Sequence, residues 1–282
     1  MHFAVLPRSP IIMRMIVIST LGLGSVLTAT AQESENESGS ELESELESEL
    51  ESSWSLGIAA ISSQKPFKDI DRDNQVIPLI FYEGKYVELV GAGIEFKLAN
   101  LELSESQQFS FRAVTQYSFG GYDEDEADET PILNGMDERK GGFWAGAKIE
   151  WRNPLVDVSA EWLSDISGNS EGQQFNLGLE RTWVFGQRLI LTPRVVASWQ
   201  DDKYVDYHYG VRTHEVRVDR PAFIGESAVN IEYGLRGIYM FDRHNALFLD
   251  LGATSLAQEI KDSPLVDSST ESRMIVGYRY QF

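Results

Sequence analysis

Two histidines are the residues best suited to chemistry. His208 and His214 lie in a polar segment, 201–223, near the acids Asp201, Asp202, Asp206 and Glu215. Imidazole and carboxylate groups this close in sequence could bind a metal ion or form a proton-transferring pair. Neither spacing matches the zinc motif His-Glu-x-x-His, and no His-Ser-x-Ser stretch occurs. We therefore expect no enzyme activity, no metal site and no cofactor.

A second candidate is the acidic run Asp123-Glu124-Asp125-Glu126-Ala127-Asp128-Glu129. Its carboxylates could bind Ca²⁺ or bridge lipopolysaccharide through divalent ions. The run lacks the glycine and the ligand spacing of an EF-hand loop, and adjacent like charges usually stay in water. The favoured interpretation is a solvated exterior loop.

Composition excludes several classes of protein. The 282 residues include 44 Asp and Glu against 24 Lys and Arg, which gives a formal net charge of -20. A negative field with no basic patch argues against nucleic acid as a partner. The chain has no cysteine, so disulfides, thiol chemistry and a lipoprotein anchor are excluded. Beyond the first thirty residues no apolar run reaches about 18 residues, which excludes spanning helices.

The N-terminus has the pattern of a secretory signal. Arg8 and Arg14 precede or open an apolar stretch that ends near Leu27, and the small residues of Ala29-Thr30-Ala31 follow. We predict a signal peptide over 1–31 with cleavage before Gln32. An acidic low-complexity tail over 32–53, with Glu-Leu-Glu-Ser repeats, is expected to stay solvated in the periplasm.

The elements that position these residues are strands. Over 54–282 apolar and polar residues alternate with period two in segments separated by turns, which predicts an all-β transmembrane antiparallel barrel. The last strand also resembles the C-terminal signal that barrel insertion machinery reads. We therefore expect the outer membrane of a Gram-negative bacterium, with contacts to its lipid and lipopolysaccharide. The outward residues of the last strand, which form this signal, are Met274, Val276, Tyr278, Tyr280 and Phe282.

Connection lengths give the strand count. Short turns at 153–154, 184–187 and 242–245 alternate with longer loops at 120–141, 164–172, 201–223 and 257–271. Outer-membrane barrels place short turns in the periplasm and long loops outside. This parity predicts about twelve strands, with ten as the alternative. The stretch from Tyr86 to Leu103 could be one bent strand or two short ones.

Charges of both signs lie on the inward face of the predicted strands. We expect them to pair with one another and fill the lumen, because an unpaired buried charge is costly. The alternative is a polar channel lined by opposed charges. The set comprises Arg112, Lys148, Glu150, Arg152, Asp157, Glu161, Glu180, Arg194, Glu232, Arg236, Asp250, Arg273 and Arg279.

The 201–223 loop also carries candidates for recognition at the cell surface. Tyrosine and arginine are favoured in protein interfaces, although the aromatic belts of membrane proteins use tyrosine as well. The candidates are Tyr207, Tyr209, Arg220 and Phe223.

Several stretches carry a family resemblance. They are Trp199-Gln200-Asp201-Asp202-Lys203-Tyr204, Asp206-Tyr207-His208-Tyr209-Gly210-Val211, Arg220-Pro221-Ala222-Phe223, Ser263-Pro264-Leu265-Val266-Asp267 and Gly277-Tyr278-Arg279-Tyr280-Gln281-Phe282. In order and spacing they resemble the MipA/OmpV family of outer-membrane proteins (MltA-interacting protein). His208 departs from that family's pattern, in which we expect an aromatic residue such as Tyr.

The resemblance implies a scaffold that joins a lytic murein transglycosylase to a peptidoglycan synthase. We therefore expect a non-enzymatic scaffold for murein-remodelling enzymes, with the periplasmic turns and the tail as its contact surface. The alternative is a small porin or a surface-binding, adhesin-like barrel that acts through its lumen or exterior loops. An enzyme is the third hypothesis.

Overall fold

The computed structural model describes residues 52–104 and 106–282. The predicted signal peptide and residues 32–51 of the predicted tail lie outside the described residues. Within the described part no helix is long and apolar enough to cross a membrane.

Twelve antiparallel strands form one closed barrel, as predicted, and the alternative of ten is wrong. The eighth strand is interrupted at Arg181 and Thr182 and resumes at Trp183–Phe185, where it still pairs with the ninth. The strands are β1 Ser53–Gln64, β2 Asp73–Glu83, β3 Val87–Val90, β4 Gly93–Ser104, β5 Gln107–Ser118, β6 Gly142–Arg152, β7 Asp157–Asp165, β8 Gln173–Glu180, β9 Leu189–Gln200, β10 Ala228–Met240, β11 Asn245–Ser255 and β12 Thr270–Gln281.

The closing strand β12 joins β1 and thereby seals the barrel. Ile58 lies opposite Tyr278, and the Phe282 N–H donates to the Trp54 carbonyl over 3.0 Å. The five outward residues of β12 named above are each at least 36% exposed, as expected of a lipid-facing surface. Between them, Ile275 is fully buried on the inward face.

Part of that inward face is apolar, which the sequence did not predict. Ile275 belongs to a cluster inside the barrel wall formed by β1, β2, β3 and β12. The other buried members are Ala59, Ile61, Ile77, Leu79, Phe81 and Val90. Packing side chains against one another excludes water as effectively as pairing charges does, so this sector is filled without ions.

The stretch from Tyr86 to Leu103 contains two strands rather than one. β3 has only four residues, and the chain reverses at Gly91, whose φ of +60° is a conformation that glycine adopts readily. β4 then runs for twelve residues, far beyond the end of β3. The wall of the barrel therefore has a step at the β3–β4 turn.

The long loops pack together over one end of the barrel, and we call this structure the loop cap. It contains three short α-helices, α1 Glu124–Glu129, α2 Asp202–Tyr209 and α3 Gln258–Lys261, and a 3-10 helix, Thr213–Glu215. Its apolar core joins loops that are distant in sequence. The buried core residues are Phe67, Tyr122, Ala127, Ile132, Leu133, Met136, Val205, Tyr209, Val211, Ala228, Leu256, Ile260 and Leu265.

Candidate functional site

A first network of ion pairs crosses the inside of the barrel from β3 to β6. Arg112 contacts Glu88 over 2.9 Å and Glu95 over 2.6 Å. Lys148 contacts Glu150 over 2.8 Å and Glu95 over 3.3 Å. Because Lys148 is only 1% exposed, water hardly reaches these charges. Glu88 and Glu95 were missed in the sequence, since they lie in the glycine-interrupted stretch where the strand register was open.

A second network joins β9 to β12. Arg194 contacts Asp250 over 2.8 Å and Glu232 over 2.9 Å, and it is 4% exposed. Arg236 adds a contact to Asp250 over 3.5 Å. Arg273 lies 3.7 Å from Asp250 and 3.9 Å from Glu232, too far for hydrogen bonds. Two carboxylates are therefore shared among three guanidinium groups.

The remaining charges predicted to face the lumen have varied surroundings. Arg152 is exposed at the end of β6. The Arg279 guanidinium lies 6.0 Å from the centre of the Phe81 ring. Glu180 has one buried carboxylate oxygen that no described residue hydrogen-bonds. Asp157 and Glu161 lie half-buried on the same face of β7, and Glu161 lines a cavity.

The loop cap has its own buried ion pair. Arg139 donates from one nitrogen to both Glu215 oxygens, over 2.8 and 2.9 Å, and from another to the Tyr207 carbonyl over 2.7 Å. Burial alone would raise the pKa of Glu215, but the Arg212 backbone N–H and the Arg139 guanidinium lower it below its usual range. Glu215 therefore stays charged and ties two loops together, 120–141 and 201–223.

The residues proposed for surface recognition are largely built into this cap. Arg220 is 1% exposed and donates to the Glu215 and Ile132 carbonyls. Tyr209 is 8% exposed in the core of the cap. Both therefore hold loops in place instead of presenting a binding surface. A recognition role stays a prediction for the partly exposed Tyr207 and Phe223.

Within the described residues, neither histidine forms a hydrogen bond or an ion pair with the acids that surround it in sequence. His208 is buried among tyrosines, with its ring centre 4.4 Å from that of Tyr204. Burial lowers the pKa of His208 to about 3, so the imidazole is neutral at physiological pH. His214 instead contacts Asp137, from another loop, over 2.9 Å.

Asp137, His214 and Glu215 come close enough to hold a metal ion, with ligand atoms within 4.8 Å of one another. However, Arg212 contacts Asp137 over 2.9 Å, and Arg139 contacts Glu215. These guanidinium groups already neutralise the two carboxylates and would repel a divalent cation. The cluster fits an ion-pair network better than a metal site.

Residues 168–172 match the Gly-x-Ser-x-Gly pattern that surrounds the nucleophile of many hydrolases. If Ser170 were such a nucleophile, the expectation of no enzyme would be wrong. That pattern needs a strand, a sharp turn and a helix, whereas here a loop joins two antiparallel strands, β7 and β8. The Ser170 hydroxyl donates to Asp165 over 2.9 Å and the Ser170 N–H does so over 2.7 Å. Ser170 therefore shapes the turn.

A cavity of about 370 Å³ lies between the loop cap and the ion-pair networks. Its lining combines aromatic rings of the cap, including Tyr204 and His208, with amides, hydroxyls and carboxylates of the strands and with two cations, Lys65 and Arg273. Cavities of this size and mixed character are suited to small ligands.

Comparisons with known proteins find relatives over most of the chain. The profile of a family described as MltA-interacting protein MipA matches residues 56–282. The outer membrane protein YiaT of Escherichia coli K12 is 26% identical over 230 residues, which cover 81% of this chain and 90% of YiaT. The MltA-interacting protein of the same strain is 24% identical over 230 residues, which cover 81% of this chain and 90% of that protein. Among solved structures, an outer membrane channel of Pseudomonas putida F1 is 11% identical, with a TM-score of 0.40, over 82% of this chain and 95% of that one.

Proposed function

Since the chain belongs to the MltA-interacting protein MipA family, and is an outer-membrane β-barrel, we propose that it is a non-enzymatic scaffold for murein-remodelling enzymes. The partners would be a lytic transglycosylase and a peptidoglycan synthase, bound at the periplasmic end of the barrel. One relative is named for its interaction with MltA.

The observation that carries this proposal is the free edge of β4. β3 pairs with β4 only between Gly93 and Phe96, whereas β4 continues to Ser104 and, within the part of the chain that the structure describes, pairs there with β5 alone. The unpaired stretch lies at the end of the barrel opposite the loop cap. An extended segment of a partner can add to such an edge by backbone hydrogen bonds.

The side chains of this edge suit a protein contact. Leu98, Leu101 and Leu103 are 65%, 55% and 63% exposed. Exposed apolar residues beside unpaired backbone groups favour the addition of a strand from another chain. The predicted tail would end at the same face, because β1 begins there at Ser53.

The inside of the barrel supports binding over transport. The two buried ion-pair networks and the loop cap occupy the space that a small porin would leave open to water. A steady flow of ions would require both networks to part. The alternative role as a porin is therefore the less favoured one.

A pull-down with matched variants tests the scaffold. The purified barrel should retain the transglycosylase and the synthase of its own organism, and Leu101→Lys in the free edge should abolish retention. Leu155→Lys, at an 82% exposed position in the β6–β7 turn, is the matched control and should bind normally. Heat-modifiability in gels should show that both proteins are folded. Equal binding by the wild type and the Leu101→Lys variant would then contradict partner binding at the β4 edge.

A further inference from the structure

The step in the wall leaves a gap on the side of the loop cap. β2 pairs with β3 only through Phe81, Tyr82 and Glu83, so that among the described strands its residues 73–80 pair with β1 alone. These eight residues span roughly 26 Å along the strand. On the other side of the gap, β4 pairs with β5 as far as Gln116, and the Tyr117 N–H donates to the Ala92 carbonyl over 3.1 Å.

An open strand edge is unusual inside a membrane. Unpaired backbone groups are costly in hydrocarbon and are tolerated where they line a water-filled space. Pro78, which has no N–H to leave unpaired, lies within the open part of β2. Val76 and Ile80 are 67% and 48% exposed on its outer face, as expected beside lipid.

A second cavity lies at this gap. Its volume is about 450 Å³, and Asp73 and Gln75 of β2 and Tyr117 of β5 line it. It shares Lys65, Phe119, Gly120 and Gly121 with the cavity under the loop cap. The Gln75 carboxamide oxygen is buried and accepts no hydrogen bond from any described residue. The gap in the wall thus continues inward to the lumen cavity.

The lumen cavity presents polar groups that the fold itself leaves unused. Lys148, the cross-strand neighbour of Glu161, is already paired with Glu95 and Glu150. His208 is 7% exposed and lines the cavity, and within the described part of the chain no hydrogen bond reaches its ring. Glu161 shares Lys148 with Glu95 and Glu150, so the four carboxylates of this region, those of Glu88, Glu95, Glu150 and Glu161, outnumber its two cations, Arg112 and Lys148. Such an excess of negative charge attracts a further cation, and a neutral imidazole can accept a hydrogen bond.

We propose that this cavity binds a small organic amine with an apolar body, which reaches it from the outer leaflet through the gap between β2 and β5. Glu161 receives the protonated amine, and the rings of Tyr204 and Phe119 contact the apolar body. The net charge of -20 draws cations to the barrel. This binding site is separate from the periplasmic β4 edge and independent of the scaffold role.

Calorimetry with three probes of one shape tests the ligand class. Phenethylamine is a cation at pH 7.5, 2-phenylethanol is neutral and phenylacetate is an anion. We expect phenethylamine to bind at least about tenfold more tightly than the other two, and Glu161→Gln to weaken it about tenfold. Asp157→Asn, on the same face of β7 but outside the cavity, should leave binding unchanged. Equal affinities for the three probes, or no binding at all, would overturn the site.

A fluorescent label tests the route. The chain has no cysteine, so Gln75→Cys can be labelled alone. Phospholipids with a nitroxide on the acyl chain should quench a bimane at position 75 far more than one at Gln174→Cys, which lines the lumen cavity on β8. Equal quenching at the two positions would show that lipid does not reach the gap, and would overturn lateral access.

Discussion

The Arg139 guanidinium and the Glu215 carboxylate form an ion pair inside the loop cap, with each residue only 1% exposed. Removing one partner leaves the other charge buried without compensation, which typically costs about 3–5 kcal/mol. We predict that Arg139→Met opens the cap and exposes its loops to protease. The double variant Arg139→Met/Glu215→Gln should regain part of the resistance, and equal digestion of wild type and Arg139→Met would contradict this role.

The network around Arg194 gives a second prediction. Arg194→Met leaves Asp250 with Arg236 and the more distant Arg273, and Glu232 with Arg273 alone. We expect a loss of several kcal/mol, measured as a lower temperature for the heat-modifiability shift in gels. Arg152→Met, at an exposed end of β6, should leave that temperature within error of the wild type.

Acid should loosen the loop cap through His208. Its pKa in the folded cap is about 3, below the ordinary value of 6.5, so the opened cap binds the proton more strongly. The contribution of neutral His208 to the stability of the loop cap is therefore fully present above pH 6.5, and it is lost as the pH falls towards 3. Protease sensitivity of the cap between pH 7 and 4 measures this. His208→Phe should show a flatter profile, and an unchanged profile would assign the acid sensitivity to other groups.

The C-terminal residue gives a prediction about assembly. Phe282 donates its N–H to Trp54 and is 67% exposed, so its ring contributes little to the folded core. If the alternating residues of β12 are read by the insertion machinery, Phe282→Ala should slow assembly in vivo and leave the stability of the finished barrel nearly unchanged. Phe241→Ala, an exposed aromatic at the same end of the barrel, should assemble at the wild-type rate.

Local patterns were sufficient to predict the strands. Alternation in β5, β6 and β12, together with the parity of short and long connections, predicts a closed barrel of about twelve strands with ten as the alternative, and the structure has twelve. Inward charges could also be proposed from the sequence, because period two indicates the face on which a residue lies. Their partners could not, since Glu88 and Glu95 depend on a register that the turn at Gly91 sets.

The loop cap was beyond local patterns. Arg139 and Glu215 are 76 residues apart in sequence, and nothing near either residue indicates that the two loops meet. The acids beside His208 suggested a polar pair, yet packing among tyrosines decided its surroundings. The apolar wall sector around Ile275 likewise follows from packing across four strands rather than from alternation within one.

Single-channel conductance of the refolded barrel, residues 32–282, in planar bilayers tests the central claim most directly. We propose that the ion-pair networks and the loop cap close the lumen, so that the barrel acts by binding. We expect a folded, heat-modifiable protein that is silent in the bilayer, with current steps appearing only in the Arg112→Ala/Arg194→Ala double variant, in which both networks are cut. Steady, ion-selective conductance of the wild-type protein would contradict the account and make the lumen charges the residues of a pore.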